Sequence, residues 1–96
     1  MRSEALVLPM PRIVLREETD DWAILFDPDT AATFGVNPMG VLVFRLLDGS
    51  RTVRDIVAEI RERCTDVPSD AERIVGDFLE ELVTRGMAEL RTPGGR

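Results

Sequence analysis

Residues 32–49 read Ala-Thr-Phe-Gly-Val-Asn-Pro-Met-Gly-Val-Leu-Val-Phe-Arg-Leu-Leu-Asp-Gly and contain a change from extended to helical chain. The β-branched and aromatic residues at the start of this stretch predict a short strand. Asn37 is a favourable helix N-cap, and Pro38 suits the first helical position. The apolar run that follows ends at Gly49, a residue type common just after helices. We therefore predict a strand followed by a largely buried first helix.

Upstream of this stretch, apolar residues alternate with a period of two, which predicts strands. The first strand begins at Arg12, and the second covers Trp22–Phe26. The Asx and proline chemistry after Asp27 predicts a turn, and a third strand follows over Thr30–Val36. Three short strands joined by tight turns indicate an antiparallel sheet. Residues 1–10 are expected to form a flexible N-terminal arm.

Downstream, the apolar residues change to a helical period. Thr52 is the predicted cap of a second helix, and Ser69-Asp70-Ala71-Glu72 is a capping-box sequence for a third helix that ends at Gly86. Residues 87–90 are expected to be a short extended return, and residues 91–96 a flexible tail. The fold class is therefore α+β, with a three-stranded antiparallel sheet followed by a three-helix bundle, and one domain is expected over residues 11–90.

Composition excludes several classes of protein. The 96-residue chain has no His, no Tyr and no Lys, and its formal net charge is −6. The usual general base and commonest metal ligand are absent, as is the lysine of a phosphate-binding loop. Negative charge opposes binding to nucleic-acid phosphates. No metal-ligand spacing or nucleophile–base pair is present. We therefore expect no catalysis and no cofactor.

The same composition bears on location. No apolar run approaches the roughly 18 residues that a membrane helix needs. Pro9 and Pro11 interrupt the apolar patch at the N-terminus, so a secretory signal is not expected. The single cysteine, Cys64, forms no internal disulfide and fits a reducing compartment. We therefore expect a cytoplasmic protein without membrane association.

The third predicted strand has the composition of an open sheet edge. It contains no charge and no proline, the features with which proteins usually block an edge. Ala31, Ala32 and Gly35 are small enough to let another backbone approach closely. Such an edge can accept an extended peptide as an added strand. The alternative is that this strand lies in the middle of the sheet or is covered by a helix of the same chain.

The third predicted helix has an apolar arc of about 180°, wider than one contact surface of a small domain requires. Asp70, Asp77 and Glu81 flank the Ile74–Phe78 edge of this arc. A hydrophobic groove with an acidic rim would suit a peptide with apolar anchors and basic neighbours. The alternative is that the whole arc belongs to the core and the acids form a solvated face. Trp22 is expected in the core or at its rim, with a partner contact as the alternative.

A set of short motifs occurs in a fixed order along the chain: Pro11-Arg12, Val36-Asn37, Leu46-Leu47-Asp48-Gly49, Thr52-Val53, Ile56-Val57, Val75, Phe78-Leu79, Leu82, Gly86 and Met87. These residues and the order of elements resemble the PqqD-like family, the precursor-peptide recognition elements of ribosomal peptide modification. The resemblance extends from about Pro11 to Leu90. One position departs from the family, which often has an acidic residue where this chain has Ile74.

The resemblance implies a winged helix-turn-helix-like domain that binds the leader of a ribosomally made precursor peptide. The leader would add to the third strand, lie against the third helix, and be presented to a modifying enzyme, commonly a radical S-adenosylmethionine protein. The implied peptide-binding residues are Thr30, Ala31, Ala32, Thr33, Phe34, Gly35 and Val36 on the strand, with Ile74, Val75, Asp77, Phe78 and Glu81 on the helix.

Two other functions remain open at this point. A winged-helix transcriptional regulator would share the architecture, but it needs a basic recognition helix, and here the third helix is acidic. A protein–protein assembly domain, including a homodimer formed through the same open edge, would need no peptide substrate.

Overall fold

The computed structural model describes residues 1–91. It confirms the α+β fold class, with a three-stranded antiparallel sheet and three helices, and the winged helix-turn-helix description is compatible with it. No helix within these residues has the length and apolar character to cross a membrane. The elements in chain order are β1 (Leu6–Pro9), β2 (Val14–Thr19), β3 (Trp22–Phe26), β4 (Thr33–Val36), α1 (Pro38–Arg45), α2 (Val53–Arg63), α3 (Ala71–Thr84) and β5 (Ala88–Arg91).

The N-terminal segment differs from the arm expected over residues 1–10. Strand β1 pairs antiparallel with β5, with Leu6 opposite Arg91. Val7 is buried, and the Ala5 carbonyl accepts a hydrogen bond from the N–H of Val53 at 3.1 Å. This pairing joins the N-terminal segment to the strand that follows α3, a contact that no local pattern indicates. Of the expected tail, Arg91 belongs to β5 and residues 92–96 lie outside the described part of the chain.

The core lies between the inner face of the β2-β3-β4 sheet and the helices. In β3 the inward residues are Ala23 and Leu25, which are buried, so Trp22, Ile24 and Phe26 belong to the outer face. Helix α1 is less buried than predicted: its buried residues are Gly40 and Val43, and its other apolar side chains are partly exposed. The fully inaccessible side chains of the helical layer are Ile56, Ile60, Leu79 and Leu82.

Local capping signals explain two of the three helix starts. The Asn37 side chain accepts a hydrogen bond from the N–H of Gly40 at 2.8 Å. Thr52 and Asp55 form both hydrogen bonds of a capping box. The box predicted from Ser69 does not form, because α3 begins one residue later than that signal implies, with Asp70 at the N-cap. Asp70 makes no side-chain cap hydrogen bond. Its carboxylate accepts instead from the guanidinium of Arg73 at 2.6 Å.

The turn between β3 and β4 is organised around the buried carboxylate of Asp27. The Asp29 N–H donates to Asp27 Oδ1 at 2.9 Å, and Arg12 Nε lies 3.2 Å from both carboxylate oxygens. Arg12 also donates to the Gly86 carbonyl at 3.3 Å, at the end of α3. Burial raises the pKa of Asp27, but the bonds from Asp29 and Arg12 outweigh it and lower this pKa below its ordinary value. Asp27 thus links the turn before β4 to the helical layer.

We expect Asp27→Asn to destabilise the chain at neutral pH. A carboxylate with a depressed folded-state pKa stabilises the fold above its unfolded pKa of about 3.9, and this contribution is lost as pH falls through the folded value. The wild-type free energy of unfolding should therefore decline in that acidic window. The decline should be shallower in the variant, and urea titrations at pH 7 and below pH 4 measure it. Equal pH dependence of the two proteins would contradict this role of Asp27.

Candidate functional site

Strand β4 lies at one edge of the sheet, whose order is β2-β3-β4. It is shorter than predicted and begins at Thr33. Thr30, Ala31 and Ala32 belong instead to the turn that precedes it, where Ala31 has a φ of 65°. This left-handed conformation is incompatible with an extended strand. Of the seven strand residues predicted to contact a peptide, the structure therefore places the last four, residues 33–36, on the sheet edge.

The pairing of β3 with β4 determines which backbone groups of β4 face outward. The Asp27 N–H donates to the Ala32 carbonyl at 2.9 Å, which makes this pair a hydrogen-bonded one. Hydrogen-bonded and non-hydrogen-bonded pairs alternate along an antiparallel ladder. Thr33 and Gly35, opposite Phe26 and Ile24, are therefore non-hydrogen-bonded towards β3. Their N–H and C=O groups therefore point away from β3, in the plane of the sheet. Within residues 1–91 no other strand forms hydrogen bonds with these groups.

Helix α3 lies beside this edge on the inner face of the sheet and contacts β4 through aromatic rings. The rings of Phe34 and Phe78 are stacked, with centroids 6.2 Å apart and planes inclined at 21°. Phe78 also lies close to Gly40 of α1, where an added Cβ would come within 3.3 Å of Phe78 Cζ. Ile74, one turn before Phe78, is 40% exposed. An apolar strip of Phe34, Phe78 and Ile74 therefore adjoins the open edge.

Arg85 lies against this apolar strip, and its position there was not predicted from the sequence. Its guanidinium lies 4.5 Å from the centroid of the Phe34 ring, within cation–π distance. Arg85 Nε also donates to Glu81 Oε2 at 2.6 Å. The spacing of Glu81 and Arg85 indicates their ion pair, but nothing in the sequence indicates contact with a ring on β4. Arg85 thus connects the end of α3 to the ring of Phe34 on β4.

The acidic rim predicted along α3 is largely neutralised by Arg73 of this helix and by Arg85 at its C-cap. Asp77 pairs with Arg73 at 3.2 Å, and Glu81 pairs with Arg85. Arg73 also bonds to Asp70, and this bond lowers the pKa of the Asp70 carboxyl below its ordinary value. The rim is thus a row of exposed ion pairs, which contribute little stability and can exchange partners with a charged ligand.

Four of the five helix residues expected at the site lie on the same side of α3, and Val75 does not. Ile74, Asp77, Phe78 and Glu81 lie along the exposed or partly exposed side of α3. Val75 is 3% exposed and belongs to the core cluster, so it is a core residue and not part of the exposed surface. Within residues 1–91 no group of three or more His, Cys, Asp or Glu side chains is arranged to hold a metal ion.

A separate cavity of about 620 Å³ lies away from β4, next to the N-terminus and the end of α3. Met1, Val83 and Leu90 are among its apolar lining residues. It does not include Phe34 or Phe78 and is distinct from the strip beside β4.

Comparisons with solved structures show the same fold in other proteins. A structure described as "TbiB1 in Complex with the TbiA(beta) Leader Peptide" is 24% identical, with a TM-score of 0.69, and the match covers 85% of this chain and 94% of that one. The structure of the heterocyclase TruD is 16% identical, with a TM-score of 0.62. That match covers 96% of this chain but 12% of the heterocyclase. A comparison with the curated proteins finds no match.

The sequence also matches a protein-family model, described as coenzyme PQQ synthesis protein D (PqqD), over residues 23–88. These residues make up more than half of the chain and contain β4, all three helices and all of β3 except Trp22. The matched region thus includes both the open edge of β4 and the apolar strip of Phe34, Phe78 and Ile74. The chain belongs to the PqqD family.

Proposed function

We propose that this protein is a non-catalytic binding module that captures the leader of a ribosomally made precursor peptide. The leader adds as a strand to β4 and is presented to a separate modifying enzyme in the cytoplasm. The observation that carries this proposal is the open edge, where Thr33 and Gly35 direct their N–H and C=O groups outward. The strip of Phe34, Phe78 and Ile74 beside that edge provides an apolar surface for alternate side chains of the added strand.

The comparisons support this proposal at the level of family and fold. One structure with this fold, that of TbiB1, is described as a complex with a leader peptide. The other is a heterocyclase, in which the similar part is a small fraction of the chain. By analogy, the partner of this chain is a peptide-modifying enzyme, and a radical S-adenosylmethionine maturase is the partner that the family resemblance favours.

Such a module would act by raising the effective concentration of the precursor near the enzyme. Backbone hydrogen bonds to Thr33 and Gly35 would fix the direction of the leader, and the apolar strip would select its side chains. Ordering a disordered leader opposes binding and moderates the affinity. No proton transfer or nucleophile is required of this chain.

A titration with a synthetic leader from the precursor gene beside this chain's gene tests the proposal. We expect the backbone amide resonances of Thr33 and Gly35 to shift on binding. The matched control is the opposite sheet edge, where the amides of Leu15 and Glu17 should shift far less, because β2 lies two strands from β4. The absence of shifts in β4, or shifts confined to β2, would contradict the proposal.

The same sample distinguishes the two other functions. Helix α3 contains four acidic residues and one arginine, which opposes a role as a DNA-recognition helix. Salt-dependent retention on duplex DNA without leader binding would support the transcriptional regulator. A homodimer that persists on dilution and ignores the leader would support the assembly domain.

A further inference from the structure

The outer face of the three-stranded sheet is apolar close to the open edge. Trp22, the only tryptophan in the sequence, is 51% exposed on this face. Ile24 and Phe26 share the face and are partly exposed. None of these three side chains belongs to the core cluster or packs against it. They form a surface opposite to the one that contacts α3.

Trp22 lies directly over the edge strand at Gly35. A Cβ added at Gly35 would come within 2.5 Å of Trp22 Cη2 and 3.2 Å of Trp22 Cε2. Gly35 is paired with Ile24, so the indole crosses diagonally from β3 to β4 and fills the position that a side chain at residue 35 would occupy. The edge strand thus presents an indole on its outer face instead of a side chain of its own.

The register determines what an added strand would meet at this point. Because the N–H and C=O of Gly35 point outward, a strand added to β4 has one residue directly beside Gly35. Neighbouring residues in paired strands direct their side chains to the same face of the sheet. The side chain beside Gly35 therefore lies on the outer face next to the Trp22 indole, whereas the residues before and after it face α3.

We propose that Trp22 and Gly35 form a second side-chain subsite for the peptide strand, on the face of the sheet opposite to α3. This inference rests on the proposed leader binding. The subsite takes an apolar side chain, because the indole of Trp22 and the aliphatic side chain of Ile24 lie on the outer face beside Gly35. A charged side chain would lose hydration against the indole. The charged group opposite Ile24 on this face, Arg16, is already paired with Glu18 at 2.6 Å. Two adjacent leader positions would thus be selected, one by the apolar strip and one by Trp22.

Cover of a glycine by an aromatic ring also stabilises a sheet without any ligand. That structural role does not predict a change at Trp22 when the leader binds, nor coupling between Trp22 and one leader position. Val14 offers a matched control for both effects. It is 48% exposed on the same sheet face, opposite Phe26, but it belongs to the distant edge strand β2.

The test uses the synthetic leader described above, in a form free of Trp, so that all indole emission comes from Trp22. We expect leader binding to shift this emission to shorter wavelength and to reduce its quenching by acrylamide. In a calorimetric scan, glycine at the leader position beside Gly35 should weaken binding to the wild type about fivefold. The same change should have less than about a twofold effect on Trp22→Val, and the full effect on Val14→Ala.

The outcomes separate this inference from the proposed function. Heat of binding with unchanged emission, or without coupling to Trp22, would overturn the second subsite and leave leader binding intact. No heat of binding by the wild-type chain would overturn both. The emission measurement uses the wild-type chain, so it tests the second subsite even if Trp22→Val fails to fold.

Discussion

Thr33→Pro is expected to weaken leader binding on the order of a hundredfold while the chain remains folded. The Thr33 N–H faces away from β3, so its loss removes no hydrogen bond within the sheet. Proline is tolerated as the first residue of an edge strand, which is where Thr33 lies. In the complex, however, the ring removes a ladder donor, leaves a leader carbonyl unpaired, and obstructs the approach of the added strand.

The control for this prediction is Thr33→Val, which keeps the N–H and the branched shape of the side chain. Calorimetry with the synthetic leader measures affinity, and thermal unfolding followed by circular dichroism verifies the fold. Unchanged affinity in a folded Thr33→Pro protein would show that the leader does not pair with the outer edge of β4.

Leu79→Ala is expected to lower the free energy of unfolding by about 3 kcal/mol. Leu79 is fully buried on the side of α3 that faces the core, so its truncation leaves a cavity among well-packed side chains. Urea unfolding of the two proteins measures the difference. A loss below about 1 kcal/mol would show that the packing around Leu79 relaxes to fill the space.

Ile74→Ala on the same helix is the matched comparison. Ile74 belongs to the apolar strip and is 40% exposed, so its truncation should lower the free energy of unfolding by less than about 1 kcal/mol. It should weaken leader binding, because an apolar contact of the strip is lost. If Ile74→Ala destabilised the chain as much as Leu79→Ala and left leader binding unchanged, Ile74 would be a core residue and not part of the site.

The position of Ile74 also bears on leader preference. The family resemblance places an acidic residue there in many members, and this chain has an exposed isoleucine. The neighbouring acids Asp77 and Glu81 are already paired with arginines. We therefore expect the leader of this protein to present an apolar side chain to α3 at this point, where other leaders would present a basic one.

Much of the fold could be predicted from local signals. Asn37 and Pro38 determine where α1 starts, and Thr52 with Asp55 determines the start of α2. These caps act within three residues, so the sequence displays them directly. The lack of charge and proline in β4 indicated an edge strand, and β4 does lie at the edge. Ser69 shows the weakness of such signals, because α3 begins one residue later than its capping box implies and the box does not form.

The sequence by itself determined the order of elements from β2 onward, two helix caps, an uncharged third strand and an apolar arc on the third helix. Only the tertiary structure decided that β1 pairs with β5, that Arg85 lies over Phe34, and that Trp22 covers Gly35. Caps and periodicities depend on neighbours a few residues apart, whereas these contacts join separate elements of the chain. Which residues meet in these contacts depends on how the strands and helices pack together, and no local pattern in the sequence indicates that packing.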